Sequence, residues 1–220
     1  MEWGALAERA EERHRDGLAR LPGEADARQR QLTRVANAAW AAGLSLLMEG
    51  RRDEAGTWLR ESAARYRESF ADAPLGSWGR LIATLKSRLL AGDWEAAVED
   101  AEWALAQGPA AAESPIGRYA AALALLVLGD DREAGRLVES LRLEAEHRFP
   151  PSVGDALAAL ATRNRGLYAE ALKRILESFE ARSPGEFLED VPVADTAAVL
   201  EVLARQRGLS VGPASSLLPA

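Results

Sequence analysis

The fold is decided by AGDWEAAVEDAEWALAQGP, residues 91–109. A turn at Gly92 leads into a segment of helical character, which a glycine–proline pair ends at Pro109. The small residues of this segment fall on one side of a helix: Ala97, Ala101 and Ala104. Because alanine lets two helices approach closely, and glycine and proline are typical of helix ends, the stretch predicts the second helix of an antiparallel helical hairpin.

The residues before this stretch supply the first helix of the hairpin. Their apolar side chains recur at helical spacing: Trp78, Leu81, Ile82, Leu85 and Leu89. Such a stripe predicts an amphipathic helix with one face toward a core.

The hairpin is one of four similar units. GRRDEA, GDWEAA, GDDREA and GLYAEA begin at Gly50, Gly92, Gly129 and Gly166, which are 42, 37 and 37 residues apart. An alanine follows each glycine by five residues: Ala55, Ala97, Ala134 and Ala171. A glycine between two amphipathic segments favours the left-handed backbone that ends a helix. The repeat therefore predicts four stacked hairpins with these glycines in their turns.

The best-formed unit resembles the second half of a tetratricopeptide repeat. The signature positions of that repeat are matched by Gly92, Ala97, Ala101, Ala104 and Pro109. The other three units match mainly at the turn glycine and the following alanine, and the resemblance covers residues 34–181. It implies an all-α fold, a right-handed stack of antiparallel hairpins (a tetratricopeptide-like α-solenoid) with N- and C-terminal capping helices.

Breaks rich in proline, glycine and serine divide the chain into helices, and no strand is expected. The expected helices are residues 1–20, 26–49, 52–70, 77–91, 93–107, 115–128, 130–147, 151–165, 167–181 and 193–207. We expect a single domain with an N-terminal helical cap in residues 1–33, four hairpins in 34–181, and a C-terminal helix and tail in 182–220.

Charge and composition exclude several classes of partner. The formal net charge is −7, so nucleic acid is not an expected partner. The longest apolar run, YAAALALLVLG from Tyr119, is too short to cross a bilayer and predicts a buried helix. No membrane partner is expected either. The absence of cysteine excludes disulfides and thiolate metal sites and suits a cytoplasmic location.

No residues form a recognisable catalytic or cofactor motif. The two histidines, His14 and His147, are interpreted as helix-surface residues. An acidic cluster in EFLEDVPVAD offers carboxylates that could hold a cation or act in acid–base chemistry: Glu186, Glu189, Asp190 and Asp195. The favoured interpretation is that Asp190 caps the final helix and that the glutamates are solvated. No cofactor or metal is therefore expected.

The six tryptophans favour a core role over a ligand cage. Three of them, Trp40, Trp58 and Trp78, fall in apolar helical stripes, which predicts core positions. Trp94 and Trp103 either wedge between repeats or belong to an exposed contact patch, and the sequence leaves both interpretations open.

Polar residues on the first helices of the hairpins are the candidate binding site. Opposite the apolar stripes lie Arg80, Thr84, Ser87, Arg118, Asp155 and Thr162. In stacked hairpins the first helices line a concave surface, where partners usually bind. An arginine pair there suits an acidic peptide or a C-terminal carboxylate. The alternative is that these arginines bridge to glutamates on neighbouring helices.

The function expected from these observations is a non-enzymatic module that binds a protein or peptide on its concave face. One specific alternative is an immunity protein that neutralises a bacterial toxin, since VLARQRGLSVGPASSLLPA is similar to the ending of some all-helical immunity proteins. Another alternative is an enzyme built on helical repeats. A further alternative is a structural subunit that self-associates into a homodimer through its alanine-rich faces.

Overall fold

A computed structural model describes residues 2–144 and 149–219, and this part of the chain forms ten α-helices and no strand. The helices are α1 (Trp3–Ala19), α2 (Ala25–Met48), α3 (Arg52–Phe70), α4 (Gly79–Leu90), α5 (Trp94–Ala106), α6 (Pro115–Leu128), α7 (Asp131–Glu144), α8 (Pro151–Ala161), α9 (Arg165–Glu180) and α10 (Asp195–Gln206). Short 3₁₀ turns occupy Pro109–Ala111, Pro184–Glu186 and Leu188–Asp190. The all-α class is confirmed.

Neighbouring helices pack in sequence order. Four pairs form from α2 with α3, α4 with α5, α6 with α7, and α8 with α9, and α1 packs on α2. Each pair contacts the next through α3 and α4, α5 and α6, and α7 and α8. The first helices α4, α6 and α8 also touch one another along the stack. We call the side of the stack formed by these three helices the first-helix face.

Three of the four predicted turn glycines end a helix in the left-handed conformation. The φ angle is 83° at Gly50, 70° at Gly92 and 78° at Gly129. A side chain at such an angle brings its Cβ against the backbone, so glycine is the residue that adopts it without strain.

The fourth turn is not at Gly166, and this part of the repeat prediction is wrong. Gly166 lies inside α9, and the left-handed residue is Arg163, with φ of 53°. The Asn164 side chain accepts a hydrogen bond from the Leu167 N–H at 3.1 Å and so starts the helix at Arg165. The turn therefore comes three residues before the glycine, and only 34 residues after Gly129.

This shift places a different residue at the close helix contact of the fourth pair. Five positions after the left-handed residue, the first three pairs have the buried alanines Ala55, Ala97 and Ala134. The fourth has Tyr168, which is also fully buried. Its hydroxyl lies 2.9 Å from a carboxylate oxygen of Glu201 on α10. The larger side chain thus reaches beyond its own pair to the C-terminal helix.

The apolar core follows the predicted stripes. The centre of α6 is buried on all sides, as the sequence predicted for its apolar run. Trp40 is buried, whereas Trp58 and Trp78 are half-buried. A large cluster extends from α4 to α10, and a smaller one joins α1, α2 and α3 to Val191 and Val193. The segment that precedes α10 therefore contacts the N-terminal end of the stack.

The start of the last helix differs from the prediction. It begins at Asp195 instead of residue 193, with Ala194 at its N-cap position, so Pro192 lies outside it. Asp190 does not cap the helix: it lies in the preceding 3₁₀ turn with φ of 58°. The extended residues between this turn and α10 separate the carboxylate from the helix N-terminus.

Candidate interaction surfaces

The polar side of α4 faces the neighbouring helix α3 and not solvent. Thr84 and Ser87 are 0% exposed. The Thr84 hydroxyl donates to the Arg80 carbonyl oxygen at 2.9 Å, and the Ser87 Oγ lies 3.2 Å from the Ser62 Oγ on α3. Both hydroxyls therefore find hydrogen-bond partners inside the helix packing, and the expectation that they line an accessible surface is not met.

Arg80 and Arg118 are both engaged in contacts within the chain. Arg80 donates to the Ser69 carbonyl oxygen at 2.5 Å, in the last turn of α3, and to the Gln29 side chain of α2. Arg118 donates to the carbonyl oxygens of Ala112 at 3.1 Å and Glu113 at 3.2 Å, and to the Ser140 hydroxyl at 3.1 Å. Arg80 thus joins the start of α4 to α2 and α3, and Arg118 positions the α5–α6 loop.

Asp155 and Thr162 lie elsewhere, beside a groove of about 470 Å³ between α7, α8 and α9. Asp155 pairs with Arg174 of α9 at 2.8 Å. The Thr162 hydroxyl donates to the Ala158 carbonyl oxygen one turn earlier at 2.8 Å. The six predicted residues therefore occupy several separate places, and a binding role for them stays a prediction.

The C-terminal segment, residues 184–219, covers the first-helix face. Its helix α10 contacts α4 and α8 as well as α9, so it crosses the stack instead of capping its end. At the start of α10, the Lys86 Nζ of α4 lies 3.0 Å from the Asp195 carboxylate and 2.8 Å from the Thr196 hydroxyl. Lys86 is buried, which alone would lower its pKa, but the charge of Asp195 raises the pKa above its ordinary value.

The other end of α10 is held by an arginine. The Arg207 guanidinium donates to the Asp131 carboxylate and to the Leu126 carbonyl oxygen, both at 2.6 Å. Asp131 begins α7 and Leu126 lies in the last turn of α6. Both ends of α10 are therefore fixed to different pairs of the stack.

Glu201, in the middle of α10, fixes the tail that follows the helix. Its buried carboxylate accepts hydrogen bonds from the Tyr168 hydroxyl at 2.9 Å and the Ser210 hydroxyl at 2.6 Å. The backbone N–H of Gly212 donates to it at 3.2 Å. Burial, followed by the negative charge of Glu201, raises the pKa of Tyr168. The face predicted to bind a partner is thus occupied by the chain's own C-terminal segment.

Exposed apolar side chains gather at the edge formed by the loops between pairs. Leu75 is fully exposed in the α3–α4 loop, and Ile116 is exposed at the start of α6. Half-buried Trp78 joins them: a Cβ added to Gly117 would lie 3.1 Å from its ring, so the ring packs on the first turn of α6. We call Leu75, Trp78 and Ile116 the loop-edge patch.

A second aromatic group lies at the same end of the helices. Trp103 packs edge-to-face on Phe70, with ring centroids 5.4 Å apart, and the Arg67 guanidinium lies 4.8 Å from the Trp103 ring centroid. Arg67 also pairs with the buried carboxylate of Asp100. Trp103 of α5 therefore packs against the end of α3. It is half-buried, so part of its ring is still exposed to solvent.

His14 is not a surface residue, which corrects the sequence interpretation. It is 5% exposed and contacts the Trp58 ring edge-on, with centroids 5.0 Å apart. Its Nε2 lies 3.1 Å from the Glu61 carboxylate of α3, while the buried Nδ1 has no hydrogen-bond partner. Burial lowers the pKa of His14, against the opposing charge of Glu61. His147 lies outside the described residues.

The acidic cluster is dispersed among separate partners. Glu186 accepts a hydrogen bond from the Ser183 N–H at 2.5 Å, Glu189 pairs with Arg13 at 2.9 Å, and Asp195 pairs with Lys86. Within residues 2–144 and 149–219, no group of three or more acidic or histidine side chains is arranged to hold a metal ion. Nor does any described helix have the length and apolar character needed to span a membrane.

Comparison with known proteins finds no matching family model, no matching curated protein and no matching solved structure.

The loop-edge patch was missed by the sequence analysis, although a signal was present. In ADAPLGS, residues 71–77, a leucine stands between proline and glycine in a stretch with no helical periodicity. An apolar side chain in such a turn has no helix face on which to be buried. Its exposure could have been expected from that context.

Proposed function

We propose that this protein is a non-enzymatic interaction module that binds another protein through the loop-edge patch. The observation that carries the proposal is the full exposure of Leu75 in the loop that leads to Trp78, whose ring packs on the helix turn that carries exposed Ile116. Apolar and tryptophan side chains that meet on a surface are typical of the centre of protein interfaces.

The surroundings of the patch support this proposal. Arg118 fastens the loop that precedes Ile116, and Arg80 fixes the first turn of α4 to the end of α3, on either side of the loop that carries Leu75. A surface that is already ordered loses little conformational entropy when a partner binds. The Arg67–Trp103 stack at the same end offers the residue types that contribute most to binding energy.

We further propose that the four pairs are a divergent tetratricopeptide-like array. The support is the spacing between the left-handed residues Gly129 and Arg163, 34 residues, which is the usual length of that repeat. In this array the C-terminal segment takes the place that a bound peptide would have, and the partner surface is displaced to the loop edge.

The test is affinity capture from the native host with two matched variants. Leu75→Asp introduces a charge into the patch, and Leu167→Asp makes the same change at another exposed leucine, on α9. We expect the wild type and Leu167→Asp to retain the same partner, and Leu75→Asp to lose it. Equal retention by both variants would refute binding through the patch.

Self-association is a separate outcome of this test. Light scattering coupled to size exclusion measures whether the chain forms a dimer that Leu75→Asp dissociates. A dimer of this kind would identify the partner as a second copy of the chain.

A further inference from the structure

A cavity of about 530 Å³ lies at the opposite edge of the stack, where the turns within pairs meet the C-terminal segment. Its walls come from the ends of α2 and α4, from α10 and from the tail. This volume falls in the range of roughly 300–1,000 Å³ that small-molecule sites occupy. We call it the turn-edge cavity.

One wall of the turn-edge cavity is apolar. The side chains that form it include Leu47, Leu89, Leu90, Val202 and Leu218. Leu47 and Leu89 belong to the buried core, so this wall is held by helix packing. An apolar chain packed against it would be partly removed from water, which favours binding in proportion to the area buried.

Two exposed arginines lie at the rim of the cavity. Arg52 begins α3 and Arg205 lies near the end of α10, and both line the cavity. Arg205 forms no ion pair with another side chain in the described part of the chain. A guanidinium group binds a carboxylate through two parallel hydrogen bonds.

Of the described residues, one carboxylate lines the cavity, and its oxygens are already engaged within the chain. Glu201 accepts from Tyr168, Ser210 and Gly212, as described above, and remains buried. The same hydrogen bonds hold the tail in place as a wall of the cavity. The site therefore combines a fixed apolar wall with an arginine at its rim.

We propose that the turn-edge cavity binds a small apolar carboxylate, with its chain among the leucines and its carboxylate on Arg205. This assignment is independent of the protein-binding patch, which lies at the other edge of the helices.

The test uses three probes with the same eight-carbon chain: octanoate, 1-octanol and octylammonium, each below its aggregation concentration. Isothermal titration calorimetry measures their affinities for the full chain. We expect octanoate to bind at least about tenfold more tightly than octanol, as a charge-assisted hydrogen bond predicts, and octylammonium to bind least. Equal affinity for octanoate and octanol, or no binding of octanoate, would overturn the proposal.

Three variants locate the site. Arg205→Gln should weaken octanoate binding about tenfold and leave octanol binding nearly unchanged, since it removes the charge and keeps most of the apolar stem. Val202→Trp should weaken both, because the larger ring fills the cavity. Arg136→Ala removes an exposed arginine from α7, outside the cavity, and should change neither affinity. Unchanged octanoate binding in Val202→Trp, with its helix content retained, would place the ligand elsewhere and refute the site.

Discussion

The Lys86 ammonium on α4 and the Asp195 carboxylate on α10 are 3.0 Å apart, although 109 residues separate them in the sequence. Both side chains are largely removed from solvent. The ion pair joins the second helical pair of the stack directly to the C-terminal segment and contributes to holding α10 across the first-helix face.

Removing one member of this pair should destabilise the fold. Asp195→Asn leaves the Lys86 charge buried beside a neutral amide, and we expect a loss of about 2–4 kcal/mol in the free energy of unfolding. Urea denaturation measures it. Combining Asp195→Asn with Lys86→Met should recover part of the loss, because no charge is then buried. A double variant less stable than Asp195→Asn alone would contradict this account.

The same pair should make stability depend on alkaline pH. The pKa of Lys86 is raised above its ordinary value of 10.5 in the folded state. Its contribution is therefore complete below pH 10.5, and it is lost as the pH rises through the folded-state pKa. Urea denaturation of wild type and Lys86→Met between pH 8 and pH 11.5 should show an additional loss of stability in the wild type only.

His14 should produce a loss of stability on acidification. Its pKa is below 6.5 in the folded state, so below pH 6.5 the unfolded chain binds more protons and folding is opposed. A protonated ring would also carry an N–H at Nδ1, where no acceptor is present. We expect the free energy of unfolding to fall from pH 6.5 toward pH 5, and His14→Gln to flatten this dependence. Urea denaturation at each pH measures both proteins, and an equally steep dependence in His14→Gln would contradict this account.

Removal of the Glu201 carboxylate should release the tail, residues 210–219. Glu201→Ala leaves the buried Tyr168 hydroxyl and the Gly212 N–H without an acceptor, which costs about 2–4 kcal/mol. Tyr168→Phe removes one hydrogen bond and should cost about 1 kcal/mol. Limited proteolysis should cut residues 210–219 faster in Glu201→Ala than in Tyr168→Phe. Similar rates in both variants would show that the tail is held by other contacts.

Two glycine substitutions should have opposite effects. Gly129→Ala puts a Cβ on a residue with φ of 78° and should cost about 1–2 kcal/mol. Gly166→Ala lies in the first turn of α9, where the added Cβ meets only an ordinary contact at 3.5 Å, and should stabilise by up to about 1 kcal/mol. Thermal unfolding distinguishes the two variants. Destabilisation by Gly166→Ala would contradict the placement of Gly166 inside α9.

The helices and most turns could be predicted because they depend on local pattern. The apolar stripe of α4, the alanines of α5 and the left-handed glycines at 50, 92 and 129 all follow from spacing within a few residues. The fourth turn could not be placed by this method, since Arg163 adopts a conformation that residue type does not favour and Asn164 sets the start of α9. The pattern at Gly166 resembled the other units without having their geometry.

The candidate binding residues were harder to place, because their environment depends on contacts distant in sequence. The helical period predicts that Thr84 and Ser87 lie opposite the apolar stripe. In the structure, that side of α4 packs against α3. Likewise, nothing near Lys86 in the sequence indicates that Asp195 is its partner. Side chains covered by a distant segment cannot be distinguished from exposed ones by their own helical position.

The crossing of the stack by α10 has a consequence for biosynthesis. Each helical pair has its partner nearby in the sequence and can pack soon after it leaves the ribosome. The α4–α6–α8 surface cannot be covered until α10 emerges, and at about 5–20 residues per second the 109 residues between Lys86 and Asp195 take roughly 5–20 s. During this interval the nascent chain carries an uncovered apolar surface, and chaperones that bind such surfaces would have time to engage it.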